Sequence, residues 1–252
     1  MSASGAEACH GVRQIVRFNW PSYAAASVLV ASVPILAPYL PDVTALRAAV
    51  LTAAGLAAYW TIASLAVSWI VYDRSPLMSG SWIAGALGYV PAVWVSVHAG
   101  LDEFTPILRR RFPRSAGRSF DMFDSRVMTE PSIARARQHA AGESERVDYR
   151  RLPAGRGSAD AVLMLLSAHE LRAREGREAL LREASRVLEP GRRALVAEHL
   201  RDLPNIAAFG PGAWHFHSRR TWLRAFDASG LVLADELRLT PFVRIFVLEK
   251  PA

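Results

Sequence analysis

Two stretches without a charged residue constrain this chain more than any other feature. Pro21–Pro41 and Ala48–Tyr72 contain no Asp, Glu, Lys or Arg. At about 1.5 Å of rise per residue, each is long enough as a helix to cross a hydrocarbon core of roughly 30 Å. Neither shows a polar face at helical spacing, which a helix on the surface of a soluble domain needs. Pro34 and Pro38 bend the far end of the first, which membrane helices tolerate. Tyr59, Trp60, Trp69 and Tyr72 give the second its rings, some near its end, where interfacial rings belong. Between them Leu40–Arg47, with Pro41, Asp42 and Thr44, reads as a turn, so residues 21–72 are expected to form a helical hairpin. Two other readings exist: a buried helical pair in a soluble protein, and a cleaved signal peptide with Arg13 and Arg17 as its basic region. The missing polar faces argue against the one and the second apolar stretch against the other.

Basic residues flank the hairpin, Arg13 and Arg17 before it and Arg74 after it. The preference of positive residues for the inner side then leaves both termini cytoplasmic, with residues 1–20 as an N-terminal segment. The expected location is the inner (plasma) membrane, multi-pass, with the bilayer as a partner. The lone cysteine, Cys9, excludes a disulfide scaffold and fits a reducing compartment.

Composition separates the rest of the chain from the hairpin. The whole is 51% hydrophobic with a mean hydropathy of +0.13, which excludes general disorder. Its net charge of +7 comes from 30 Lys+Arg against 23 Asp+Glu, almost all of it after residue 72. Lys250 is the only lysine, so the basic character reads as codon bias of a GC-rich genome. The arginines are interleaved with acids, and no nucleic-acid partner is expected. Ser75–Leu101 is uncharged too and could be a third span. Pro76, Gly80, Gly85, Gly88, Pro91 and His98 favour instead an interfacial linker over 73–92, with a short helix at about Ser79–Tyr89.

From residue 93 the pattern alternates. Strands are expected at Val93–Val97, Gly117–Asp121, Arg146–Tyr149, Asp160–Leu166 and Arg193–His199. Asp160–Leu166 is a continuous apolar run, as in a central parallel strand buried on both faces. Helices are expected at Glu103–Arg111, Thr129–Ala140, Arg174–Leu188 and Ser218–Ser229, and a closing strand pair at Leu231–Arg238 and Phe242–Glu249. The expected fold is therefore α/β: a Rossmann-like doubly wound sheet over 93–252 with a C-terminal antiparallel strand pair, preceded by two transmembrane helices. Ligands of such sheets bind at the carboxyl ends of the strands.

Residues 93–252 resemble a class I S-adenosylmethionine-dependent methyltransferase. DAVLMLLSAHEL is similar to the family's fourth strand and the segment after it. LLREASRVLEPGRRALVAEHL is similar to its following helix, L-x-P-G turn and fifth strand, and GLVLADELRLTPFVRIFVLEK to its terminal hairpin. The resemblance implies S-adenosylmethionine as cofactor. It implies Asp121, or Asp124 as a competitor, on the ribose hydroxyls, and Asp148, four residues before Leu152-Pro153, near the adenine. The family's first motif is D-x-G-x-G-x-G. Here Ser96–Asp102 keeps only Gly100 and has His98 and Asp102 at the other two glycine positions, which crowds and recharges a loop expected to touch the cofactor.

Five of the seven histidines fall at or just after predicted strand ends: His98, His169, His199, His215 and His217. Glu170 and Glu198 accompany them. A histidine near its ordinary pKa of about 6.5 suits removal of a proton from a methyl acceptor, and His169 and His199 are the first choices. Glu170 or Glu198 would orient the imidazole or the substrate. The segment Phe209–His217 reads as a flexible loop over the pocket, with Trp214 and Phe216 against an apolar substrate. Histidines and carboxylates converging from separate strands could also hold a divalent ion, but no pair has the H-x-x-x-H spacing of a metal-binding helix, so a metal is the minor alternative and metal-assisted chemistry on the same fold a third reading. The expected function is a membrane-anchored methyltransferase acting on a lipophilic small molecule such as a quinone or lipid precursor. The alternative is a noncatalytic methyltransferase-like subunit or assembly factor with a membrane-complex partner.

Overall fold

The computed structural model describes residues 10–39, 44–138 and 144–252. The chain divides into two compact units, Met1–Arg74 with Leu203–Ala213, and Ser75–Asp202 with Trp214–Ala252. Cys9, Pro41 and Asp42 lie outside the described residues, as does the first half of the turn expected at Leu40–Arg47, whose second half, residues 44–47, is already helix.

The first unit is built on two long helices. Helix α1 spans His10–Leu36, starting before its apolar stretch, and runs into a 3-10 turn at Ala37–Tyr39. Helix α2 spans Thr44–Ser68 and continues as a wider turn through Trp69–Arg74. A bend at Asn19 (φ −112, ψ 15) precedes Pro21. Pro21 has no N–H to give to the ladder, and its ring crowds the carbonyl of Arg17, so the helix breaks its regularity there. The carboxylate of Asp73 accepts from the N–H groups of Gly11 (2.8 Å) and Val12 (3.0 Å). An acid at the positive start of α1 is stabilising, and it ties the beginning of α1 to the end of α2, which makes the pair antiparallel. A Cβ at Gly11 would collide with Tyr72, so glycine permits this closure. Both helices are long and apolar enough to cross a membrane. Their apolar side chains face outward: Val28 is 70%, Ile35 66% and Ile62 69% exposed, unlike a buried helical pair.

The segment expected to be a flexible loop at 209–217 is ordered helix instead. Leu203–Phe209 forms helix α7, and a 3-10 stretch follows at Gly210–His215. Pro204 is tolerated because it sits in the first turn, where no N–H is needed. Gly210 (φ 53) lies against the Trp60 ring of α2 so closely that a Cβ would clash. The Gly-Pro-Gly run thus serves close packing within the first unit.

In the second unit, a short helix α3 (Ile83–Leu87) precedes the first strand. The strands are β1 (Val93–His98), β2 (Ala116–Asp121), β3 (Glu145–Arg146), β4 (Ala159–Leu165), β5 (Leu188–His199), β6 (Val232–Thr240) and β7 (Val243–Glu249). Their order is β3-β2-β1-β4-β5-β7-β6. The first five are parallel, and β7 runs antiparallel between β5 and β6. This is the doubly wound sheet with a closing antiparallel pair that the strand pattern implies. Val93–His98 is paired on both sides, so the third-span alternative is replaced by a strand.

Helices α4 (Thr105–Arg111), α5 (Pro131–Arg137), α6 (Arg174–Val187) and α8 (Arg219–Asp227) complete the unit. Val162, Leu163 and Met164 of β4 are fully buried, as an apolar run with both faces covered should be. Leu180, Leu181, Ala184 and Val187 form the buried stripe of α6, and from α8 to β7 Trp222 stacks on Phe226, which meets Phe246 edge to face. Two expectations need correction. The strand expected at 146–149 is only Glu145–Arg146, because Arg151 N–H closes a turn on the Asp148 carbonyl (2.9 Å). The helix expected over 129–140 is Pro131–Arg137, and residues 139–140 lie outside the description.

Candidate functional site

The carboxyl ends of β1, β2, β4 and β5 share one rim of the parallel sheet, and the expected site residues fall there. The chain leaves β4 through Leu166, at φ 54 the one described non-glycine residue in left-handed backbone. Such a conformation costs on the order of 1 kcal/mol and persists where surrounding contacts impose it. Ser167 supplies one of them, donating to the Val97 carbonyl of β1 (2.7 Å). A 3-10 turn at Ala168–Glu170 follows, and delivers His169 and Glu170 beside Glu198 at the end of β5.

Here the two sequence-adjacent residues and Glu198 form one buried group. Glu198 is fully enclosed, accepts from the His169 N–H (3.1 Å) and lies 2.6 Å from its Nδ1. His169 Nε2 is 3.1 Å from Glu170 Oε1. Burial works against a charged imidazole, but the two carboxylates outweigh it and push His169 up to about 10. Burial likewise opposes ionisation of Glu170, and His169 overcomes it and holds the carboxyl down at about 2. Between these two carboxylates alone, His169 is thus charged at neutral pH, and it acts as a base or ligand through Nε2 only once that proton is given up.

His215 approaches the same carboxylate. Its Nε2 is 3.6 Å from Glu170 Oε1 and its Nδ1 is 3.6 Å from Glu130 Oε2, at the start of α5. Arg172 donates to the carbonyls of His215 and Trp214, which fixes this stretch of chain. His217 stands apart: its Nε2 accepts from Arg177 (3.0 Å), a buried guanidinium that also bonds the carbonyls of Leu171 and Arg172. Burial, then the charges of Arg177 and Arg172, push His217 down to about 3, so it is neutral and structural. His199 faces Phe242 O through Nδ1 (2.9 Å) and stacks on Phe216 at 5.0 Å. A carbonyl can only accept, so Nδ1 carries a proton. Trp214 is 62% exposed.

The β1–β2 side is arranged differently. Register pairs His98 with Asp121, at the ends of their strands. Nδ1 of His98 accepts from Gly100 N–H (3.1 Å), so Nε2 carries the proton, 3.5 Å from Asp102 Oδ2. Burial lowers the His98 pKa and keeps the ring neutral. Asp102 is occupied by the hydroxyls of Ser119 (2.6 Å) and Ser144 (3.2 Å) and by the Thr105 N–H (2.9 Å). These two substitutions of the glycine pattern therefore brace the loop itself. Asp121 accepts from Arg137 Nη1 at 2.8 Å and from the Phe123 N–H at 3.0 Å. The guanidinium of Arg137 lies 4.1 Å from the Phe123 ring centre, and its side chain fills the space over Gly100 (φ 103), where a Cβ would collide with it. Asp124 turns away to Arg126, and Asp148 is exposed in a turn held by Arg150. Arg137, Phe123 and Glu130 escaped the sequence reading, since one arginine among many and an acid at a helix start carry no distinguishing spacing.

Comparison with known proteins agrees with this topology. The profile of a family described as "Methyltransferase domain" matches residues 126–196. Among solved structures, the [4+2]-cyclase SpnF superposes with a TM-score of 0.52 at 15% identity, over 72% of this chain and 83% of its own. Geranyl diphosphate C-methyltransferase from Streptomyces coelicolor A3(2), solved with Mg2+, geranyl diphosphate and S-adenosyl-L-homocysteine, does so with a TM-score of 0.50 at 17% identity, over 68% and 78%. No curated protein sequence matches the chain significantly. At such identities the likeness concerns fold, and one fold hosts many reactions.

Proposed function

We propose, from the premise that the second unit is a class I methyltransferase-like domain, that the chain is a membrane-anchored S-adenosylmethionine-dependent methyltransferase of a lipophilic small molecule. The observation that carries the reading is the arrangement of Asp121, Phe123 and Gly100. A buried acid at a strand end, an aromatic face and a glycine backbone together suit a nucleoside: hydroxyls for the acid, a planar base for the ring, close approach at the glycine. Arg137 imitates such a ligand, since its planar donor group pairs with Asp121 and stacks on Phe123. The residues fit the cofactor on the condition that Arg137 swings off Gly100. Asp121 would then hold the ribose and Phe123 flank the base, and the bound cofactor supplies an electrophilic methyl group. His98 and Asp102 keep the loop in shape.

On the acceptor side, His199 at the end of β5 is the residue assigned to take the proton that the acceptor atom loses as it gains the methyl group. Phe216, stacked on His199, presents an apolar wall. The outward-facing apolar side chains of α1 and α2 support a lipid environment, where an apolar acceptor is concentrated. Calorimetry on the full chain in detergent should show S-adenosylmethionine binding. Absence of binding by both the native chain and Arg137→Ala would overturn the reading and favour a noncatalytic subunit of a membrane complex. The anchor has its own test: the chain should stay with the membrane fraction through an alkaline wash, and its release would remove the anchoring part.

A further inference from the structure

We propose that His169, Glu170 and His215 form a binding site for one divalent first-row transition-metal ion. Each offers one ligand atom, and these atoms lie within 4.8 Å of one another. Around an ion with bonds of about 2.0–2.1 Å at tetrahedral angles, donors stand roughly 3.3 Å apart. Glu170 Oε1 is 3.1 Å from His169 Nε2 and 3.6 Å from His215 Nε2, on either side of that spacing. The two imidazoles meet edge to face, 5.1 Å between ring centres at 82°, so both direct their Nε2 edges toward one carboxylate oxygen rather than stacking.

A second, independent observation is what stands behind each ring. Metal-ligating histidines characteristically give their other nitrogen to a carboxylate, which fixes tautomer and orientation. Both do so here. His169 Nδ1 is held by Glu198 (2.6 Å), and His215 Nδ1 faces Glu130 (3.6 Å). Glu198 also grips the His169 backbone N–H, and Arg172 holds the backbone of His215. The His169 ring is thereby fixed with Nε2 turned inward, and the held backbone of His215 sets its ring beside it with the same nitrogen facing Glu170.

The donor set selects the ion class. Two imidazole nitrogens and one carboxylate oxygen suit Zn2+, Fe2+, Co2+ or Mn2+, whereas Mg2+ and Ca2+ prefer all-oxygen shells. Three protein ligands leave coordination positions for water or for an oxygen of a bound acceptor. Nothing in this site involves Arg137, Asp121 or Gly100, so it stands or falls separately from binding of the methyl donor.

The test uses the full chain in detergent, free of any histidine tag, stripped with chelator and then titrated with Zn2+ and, separately, Co2+. One equivalent of Zn2+ should bind at micromolar Kd or tighter, Co2+ should give visible absorption of a nitrogen-containing shell, and tenfold excess Mg2+ should not compete. Glu170→Gln and His215→Ala should each weaken Zn2+ binding at least tenfold, with circular dichroism reporting an intact fold. The near-isosteric Glu170→Gln keeps the test decisive if His215→Ala unfolds. Failure of the native chain to bind either ion, or binding that neither folded variant weakens, overturns the proposal.

Discussion

The two sides of the sheet rim hold the same kinds of residue and use them differently. On the β1–β2 side the carboxylates and His98 Nδ1 are taken up by neighbours: His98 by Gly100, Asp102 by Ser119 and Ser144, and Asp121 by Arg137. On the β4–β5 side, His169 and His215 both turn Nε2 toward one oxygen of Glu170, and Glu198 holds His169 from behind. The first side has answered its loss of glycines with internal bonds and is sealed by one long, movable side chain. The second is a fixed, buried charge cluster. A ligand on the first side must displace Arg137, while an ion on the second finds its donors already oriented.

The largest effect that would break this contrast concerns the fixed side. Glu198→Ala removes a fully buried carboxylate and leaves the His169 imidazole with one partner fewer. Breaking a buried ionic pair by deleting one partner costs about 3–5 kcal/mol. A lower thermal midpoint of the second unit, with Glu198→Gln intermediate, is the expected result. A loss under about 1 kcal/mol would mean that water replaces the carboxylate and that the cluster is neither fixed nor closed.

Arg137→Ala gives the next effect, in the opposite direction for binding. The Arg137–Asp121 pair is mostly buried, with side chains 16% and 9% exposed, and a charge-assisted bond of this kind contributes roughly 1.5 kcal/mol. Since a cofactor must first break it, its removal should tighten S-adenosylmethionine binding about tenfold, read by calorimetry, and leave Zn2+ affinity unchanged. Unchanged or weaker cofactor binding would show that Arg137 helps hold the ligand rather than standing in its place.

How much of this contrast was legible in the sequence follows from which interactions are local. The sheet was legible because a strand buried on both faces must be apolar throughout, as DAVLMLL is, and because turns and caps such as Ser218 mark helix ends; Ser218 does accept the Thr221 N–H. The histidines at strand ends were legible for the same reason, since a strand that stops being apolar has reached the rim. Their pairings were not. Glu130, Glu170 and Glu198 lie on different segments, and nothing in their spacing says that the first faces His215 and the other two His169. The 3-10 stretch over 210–215 reads as a loop in sequence because Gly210, Pro211 and Gly212 are turn residues by propensity, and packing against Trp60 overrides propensity. Arg137 could not be singled out, because its role depends on reaching across from α5 to a strand end.

The smallest predicted effect tests whether the two sides act on each other. Ser167 is buried, and its hydroxyl donates to the Val97 carbonyl at 2.7 Å, joining the exit of β4 to the end of β1. Ser167→Ala should cost about 1 kcal/mol, the net value of one such bond plus a carbonyl left short of a partner. The strained Leu166 next to it has no other reason to keep its left-handed backbone than contacts like this one. If the sides are independent, the loss should add to that of Arg137→Ala within about 0.5 kcal/mol, and Zn2+ binding should weaken while cofactor binding holds. A non-additive double variant, or equal weakening of both ligands, would make the rim a single coupled element in which positioning His169 and positioning the β1 loop are the same event.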